Sequence, residues 1–467
     1  GDDEGEEPAA GGETGQTQTG GQAGTGNAIK VAVLSDCQGA FGPFWEQTIG
    51  GVHTAFVKYA GAQVKNANKP SAGITGATIA GRPVNIVGYG CSNDRADKAI
   101  QETRRLMEQL DADVMIGPLS GDESIAVANY AKAHPDKTFV NGSAGAQDTT
   151  LKVRAPNFFR FNGDGAQWNA GTGDIAYNKL GWRNAAVIAD DYSFAWTSAA
   201  GFIAEFCAVG GKVTKRVFPP LNTTDYSSFV RQLPTDVDGY FWAVGGTGTI
   251  PSLKAYEQAH GQIDGRKFIG NLFWGTPGQF EQLGNRVANA YVGGAGSAGD
   301  LKTSAAQQYS QLIGRTYQKF PPFPGTAASQ AASTFVYNYY INTWALLKAL
   351  EAVDGDISGG QDALQEALGD TELDAPYGKV RLDENRQAIQ DQFTQQLFLD
   401  GGKLSIRTVL KTPEVDQSFG GTFTDNTPAP GRNFPACKKK SLPWAGKENA
   451  VTNGQPKEGS VNWKQLP

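Results

Sequence analysis

Between Ile29 and about Phe320, short apolar runs alternate with stretches whose apolar positions recur every three to four residues. The runs are Lys30–Ser35, Val84–Tyr89, Asp113–Gly117, Thr138–Asn141, Ala185–Ala189, Asp238–Val244, Lys267–Asn271 and Ala290–Gly293. Helical periodicity lies between them, over Ala96–Leu110, Glu123–Lys132, Trp168–Leu180, Trp196–Val209, Tyr226–Gln232 and Pro251–His260. Continuous rather than alternating apolar strands, separated by amphipathic helices, predict parallel sheet buried on both faces. The architecture predicted is doubly wound α/β.

Four runs end before Arg154 and a new series begins at Ala185. The segment between, APNFFRFNGDGAQ, reads as a connector, so two similar lobes with a crossing near residue 156 are expected. Beyond Asp300 the pattern predicts two long helices, one over Thr334–Val353. A hairpin-like stretch, YGKVRLDENRQAIQDQFTQQLF, follows and returns the chain to the second lobe.

The two ends break the pattern. The first 26 residues hold six acids, no base and almost nothing to bury, the composition of a flexible tether. The tether belongs either to a trimmed chain or to a mature lipoprotein that starts just after its lipidated cysteine. From about Thr412 the chain mixes Pro, Gly and single aromatics without period, as an extended arm docked by Phe434 and Trp444 or as a disordered tail.

Charge changes the picture only by exclusion. With the six acids of the tether set aside, the 41 basic groups meet an equal number of acidic ones, so no nucleic-acid footprint exists. No apolar run reaches 18 residues, so no membrane-spanning helix is expected. The four cysteines, Cys37, Cys91, Cys207 and Cys437, match no zinc spacing and leave room for two disulfides.

Open parallel sheets bind ligands beyond the carboxyl ends of their strands, where loops and helix N-termini converge. In the first half those positions hold Asp36, Phe41, Phe44 and Trp45, then Asp94, then Leu119 to Glu123, then Gly142 to Gly145. In the second half they hold Asp190, Asp191, Tyr192, Phe194 and Trp196, then Gly246 and Thr247, then Phe273 and Trp274. Aromatic walls, hydroxyls and free backbone N–H groups suit capture of a small solute. No nucleophile stands beside a base, so no catalytic residue, metal ligand or cofactor site is assigned.

The segments IKVAVLSDCQGAFGPFWEQTIGGVHTAF, GRPVNIVGYGCSNDRADKAIQETRRLM, VMIGPLSGDES, FVNGSAGAQ, FFRFNGDGAQWNA and WRNAAVIADDYSFAWTSAAGFIAEFCAVGGKV follow one another in order. Together they resemble the type I periplasmic binding proteins of the branched-chain amino acid class, from about residue 28 to 412. The resemblance implies an α/β fold of two doubly wound parallel-sheet lobes joined by a three-segment hinge. It divides the chain into a tether (1–27), a first lobe (28–156 with 297–375), a second lobe (157–296 with 376–412) and a C-terminal arm (413–467). It also implies a monomeric, extracytoplasmic solute-binding protein that serves an ABC permease in the membrane. A ligand-sensing module of the same fold, signalling to a partner, is the alternative.

Carried over, Ser120 and Gly121 with Ser143, Ala144 and Gly145 hold a carboxylate or a similar acceptor-rich group through backbone N–H groups. Phe44 or Trp45 packs on the solute from the first lobe. Tyr192 or Phe194, and the loop of Gly246 and Thr247, meet it from the second. Amino-acid-binding members carry an acid after the third strand of that lobe, which pairs with the ligand's ammonium. Here NLFWGTPG puts Phe273 and Trp274 there, with no acid from Lys267 to Phe280. Either Asp190, Asp191 or Asp164 takes the ammonium, or the solute lacks one and is larger or more aromatic than leucine. Within this frame Cys37 and Cys91 follow adjacent strands and are expected to bond, as an oxidising compartment permits. Cys207 and Cys437 remain as the second pair.

Three sharper motifs are set aside. Gly294-Ala-Gly296-Ser-Ala-Gly299 resembles a dinucleotide fingerprint but has no acid about 20 residues on. The stretch from Asp354 opens like a calcium loop but ends on Gln365 rather than Glu. His53, His134 and His260 lie far apart, and no nucleophile elbow accompanies them.

Overall fold

The computed structural model describes residues 27–276, 278–294, 298–317 and 333–467. The segment expected to be a tether lies outside these residues, and with it the question of a lipoprotein start, as do Gly296 and its two neighbours in the dinucleotide-like motif.

All eight apolar runs are strands. In the first lobe β1 (Ile29–Asp36) is followed by helix α1 (Trp45–Ala60), β2 (Arg82–Ser92), α2 (Ala96–Arg104), β3 (Val114–Ile116), α3 (Gly121–Ala133) and β4 (Thr138–Val140). A fifth strand, β5 (Phe158–Phe159), lies inside the segment expected to be only a connector. The sheet order is β2-β1-β3-β4-β5, all parallel, with the antiparallel edge strand Thr78–Ile79 beside β2. Both faces of β1 are covered, as its run of fully buried Val31, Ala32, Val33 and Leu34 requires.

The second lobe contains helix α4 (Gly165–Trp168), β6 (Asn184–Ala189), α5 (Ser193–Ala208), β7 (Lys212–Val217), β8 (Gly239–Ala243), α6 (Thr249–His260), β9 (Phe268–Gly270) and β10 (Tyr291–Gly293). These strands lie parallel in the order β7-β6-β8-β9-β10. The edge strand β7 escaped the apolar pattern because its sequence, KVTKRV, is mostly polar and half exposed. After α7 (Ser304–Thr316) and α8 (Thr334–Ala352), which pack on the first sheet, a long hairpin of β11 (Ala388–Asp400) and β12 (Lys403–Val415) returns to the second. There β11 pairs antiparallel with β10, Tyr291 opposite Gln396.

Two chain passages between the lobes run side by side. Arg160 and Gln387 form a parallel bridge, and the Arg160 N–H donates to the Arg386 carbonyl at 3.0 Å. Further on, the helix expected over Trp168–Leu180 is broken into short pieces. Gly171 adopts a φ of +102°, and a Cβ there would lie 2.6 Å from Thr394 Oγ1. The buried Glu205 carboxylate takes the freed Gly171 and Asp174 N–H groups at 2.8 and 3.0 Å, so a tertiary partner replaces helical bonds.

The C-terminal tail does more than extend. Its strands β13 (Asn449–Thr452) and β14 (Gln455–Pro456) add to the second sheet, Leu410 pairing with Ala450. Trp444 is buried against Phe419 with ring centroids 4.9 Å apart, while Phe434 is half-buried against Phe423. The cysteines pair as Cys37–Cys91 and Cys207–Cys437, with Cα separations of 5.2 and 5.1 Å. No described helix is long and apolar enough to cross a membrane, and no cluster of three metal-ligating side chains occurs among the described residues.

Trp444 docks by donating its indole N–H to Glu205 at 2.8 Å, beside buried Asp174 and Glu448. Burial pushes the Glu205 carboxyl up to about 7, and Asp174 also titrates well above the usual range, chiefly through burial. A carboxyl raised in the folded state binds more protons there than in the unfolded chain, so stability falls as pH rises from about 4.5 to about 7. Glu205→Gln is therefore expected to gain on the order of 2–3 kcal/mol relative to the native chain between pH 4.5 and 8. Urea midpoints at the two pH values measure it. A constant difference would mean that Glu205 is ionised throughout.

Candidate functional site

The loops after the strands of the two sheets face one another and close around a small cavity. Its wall consists of Phe41, Leu119, Ser120, Gly121, Ser143, Gly145, Trp168, Tyr192, Phe194, Leu272, Phe273 and Phe335. The free space is about 20 Å³, room for roughly one water and far below the roughly 300–1,000 Å³ of ordinary ligand pockets. A solute thus requires the lobes to part or the rings to turn.

The rings span the gap. Phe273, from the loop after β9, stacks on Phe41 of the first lobe at 5.8 Å and leans on Phe44 and Phe335 at 5.9 and 5.8 Å. Tyr192 meets Phe41 at 5.9 Å, and Phe194 lies edge-on to Trp168 at 5.7 Å. Against these rings stand the polar parts. Ser120 begins α3, with its own N–H donated to Glu123 Oε1 at 3.1 Å. Ser143 and Gly145 follow β4, and the Asn338 amide bonds Ser143 Oγ at 3.3 Å.

Seven of the fourteen residues expected from sequence line this cavity: Ser120, Gly121, Ser143, Gly145, Tyr192, Phe194 and Phe273. The other seven lie elsewhere, each for a local reason. Phe44 sits one layer back, stacked on Phe335 at 4.2 Å. Trp45 opens α1 and packs into the core of the first sheet. Ala144 turns its carbonyl inward onto Asn141 and Arg160. Asp191 faces the cleft mouth, where it accepts from Arg432 and from the Trp196 indole, both at 3.0 Å.

Gly246, at φ +57°, lets its loop approach the first lobe so closely that a Cβ would lie 2.6 Å from the Ala40 carbonyl oxygen. Thr247 faces a separate hollow beside Pro43 and Gln47. Trp274 lies beneath the second sheet against Gly270, fully buried. Five wall residues were not among the fourteen, although Phe41 and Leu119 were among the post-strand positions picked out by sequence. Phe41 and Leu119 stand in the same post-strand loops, Leu272 precedes Phe273, and Trp168 had been placed in a helical face. Phe335 comes from the start of α8, just before which no described residue forms a strand end, so position after a predicted strand gave no signal for it.

None of the candidate ammonium partners reaches the cavity. Asp190 accepts the Gly245 N–H at 2.9 Å, and burial holds its carboxyl well above the usual range. Asp164 caps α4 through the Gln167 N–H at 2.9 Å. Behind Ser120, Asp36 and Glu123 are both fully buried, and burial raises both. The neighbouring Glu123 adds to the rise at Asp36, while the Asp94 backbone N–H opposes it.

Across the mouth, Asn222 donates to Asp94 Oδ2 at 3.2 Å and the Ser193 N–H to Asp122 Oδ1 at 3.1 Å, polar ties between the two lobes. His53 is a packed residue, held between the Tyr89 and Tyr317 hydroxyls, and burial lowers it to about 3. The loop after Asp354 folds on itself, with Asp356 Oδ1 accepting from the Ser358 N–H at 2.9 Å.

Comparison with known proteins agrees with this fold. No curated relative matches the chain in sequence. Among solved structures, an ABC transporter substrate-binding protein from Sphaerobacter thermophilus is similar at 22% identity, with a TM-score of 0.68 over 84% of this chain and 99% of that one. A solute binding protein of an ABC transporter from Rhodopseudomonas palustris HaA2, in complex with p-hydroxybenzoic acid, is 20% identical, with a TM-score of 0.68 over 84% and 98%. A leucine binding protein from Thermotoga maritima MSB8 is 18% identical, with a TM-score of 0.64 over 81% and 97%. Residues 28–403 match the family described as periplasmic binding protein, and the chain belongs to that family.

Proposed function

We propose that this protein captures a small aromatic carboxylate outside the cytoplasm and delivers it, in the closed form, to an ABC permease. The observation that carries the solute class is the cavity wall, which among the described residues joins six aromatic rings to serine and glycine loops and includes no ionisable acid or base other than the Tyr192 phenol. A ring is held by the aromatic faces and its carboxylate by hydroxyls and backbone N–H groups beside the start of α3. An amino acid would bury its ammonium without a counter-charge, which costs several kcal/mol. The p-hydroxybenzoic acid held by the Rhodopseudomonas palustris relative has the chemistry this wall favours. Closure is stabilised only by contacts made in the closed form, here the solute together with the ties at Asp94 and Asp122.

Thermal-shift and calorimetric titration with benzoate, 4-hydroxybenzoate, leucine and phenylalanine test the reading. The two benzoates are expected to raise the melting temperature and to change tryptophan emission, since Trp168 forms part of the wall. Binding of the amino acids alone would overturn it.

A further inference from the structure

Arg160 is fully buried where the chain first passes between the lobes, yet no carboxylate bonds it among the described residues. Its Nε donates to Gln387 Oε1 at 2.6 Å, Nη1 to the Ala144 carbonyl at 3.2 Å and Nη2 to Thr150 Oγ1 at 3.1 Å. Asp164 and Asp383 influence it only at longer range, and their oxygens accept from other groups: Gln167 and Gln417 on Asp164, the Asn385 and Gln387 N–H groups on Asp383. Burial pulls the guanidinium down to about 10, which leaves it charged at neutral pH. A buried cation without an ion-pair partner is costly unless nearby dipoles take up its charge.

One such dipole is the Ala144 carbonyl. Besides Arg160 it accepts the Asn141 amide at 3.0 Å and lies 3.4 Å from that of Asn162. In a trans peptide the carbonyl and the following N–H point in opposite directions. Pinning the Ala144 oxygen onto the guanidinium therefore turns the Gly145 N–H the other way, and Gly145 forms part of the cavity wall. That N–H donates to no described group. A cation on the carbonyl also polarises the peptide and strengthens its N–H as a donor.

We propose that Arg160 is the counter-charge of the solute cavity, a positioning residue that acts through the Ala144–Gly145 peptide to select a carboxylate over a neutral group of the same shape. This rests on the reading of the cavity as an aromatic carboxylate site. Because Arg160 also bridges to Gln387 on the neighbouring passage, the same residue links solute charge to the hinge.

Calorimetric titration with benzoate and with benzamide, its neutral isostere, tests the proposal. Arg160→Gln is expected to weaken benzoate roughly tenfold while benzamide stays within about twofold. Arg160→Lys keeps the charge and should keep most of the preference. Should Arg160→Gln fail to fold, Gln387→Glu sets a carboxylate of the same shape on the guanidinium and should lower the benzoate preference likewise. Equal losses for both probes, or a preference that survives Arg160→Gln or Gln387→Glu, would overturn the role of Arg160 alone. A native protein that binds neither probe would overturn the aromatic carboxylate reading, and this proposal with it.

Discussion

Replacing Cys207 and Cys437 together by serine is expected to lower the free energy of unfolding by about 5 kcal/mol. The bridge closes a sequence separation of 230 residues. In the chain-entropy account a loop of that length gives about 5 kcal/mol, against about 4 for the 54-residue separation of Cys37 and Cys91. The bond also ties helix α5 to the tail that packs Phe419, Phe423, Leu442 and Trp444 against Leu151, Ala166 and Ala200. Losing it should release the tail first and expose the Glu205 pocket. Urea unfolding of the oxidised native chain and the double variant gives the difference. Limited proteolysis should cut the variant within residues 416–448. A loss below about 1 kcal/mol would mean that the packed tail holds itself in place.

The second large effect is expected at Phe273→Ala. Its ring touches Phe41, Phe44, Phe194 and Phe335, so one side chain joins the loops of both lobes. Removing a buried ring at such a junction costs about 3 kcal/mol, and contacts across the cleft exist only in the closed form. Affinity for 4-hydroxybenzoate should therefore fall about 100-fold, with a smaller loss for Phe273→Leu, which keeps part of the apolar contact. Titration at a temperature where both variants remain folded separates affinity from stability. An affinity within about threefold of the native value would place the solute elsewhere.

The order of eight of the strands was legible because their runs are mostly apolar without alternation, as burial on both faces of a parallel sheet requires. Val31 to Leu34 and Ala185 to Ala189 carry that signal in their own residues, and all are fully buried. The position of the cleft followed from topology, since it must lie where the strands end. Of the residues that rule points to, Ser120, Ser143, Tyr192 and Phe273 line the cavity, whereas Trp45 and Trp274 do not, because the residues that follow a strand divide between the cleft and the core behind it. Nothing in the sequence says on which side of the chain each one falls.

The remainder was decided by distant partners. Phe335 reaches the cavity from a helix start, and Trp168 from a segment that Glu205 unwinds. The strands of the tail exist because β12 presents an edge for Leu410 to pair with Ala450, and polar residues on a partnered edge carry no apolar period. The sequence by itself determined two series of parallel strands and the chemistry available at their ends. Only tertiary structure decided which rings close the gap, and that a buried guanidinium stands behind the Ser143–Gly145 loop. Local periodicity reports burial along one segment, whereas a cavity is made by segments that meet from opposite halves of the chain.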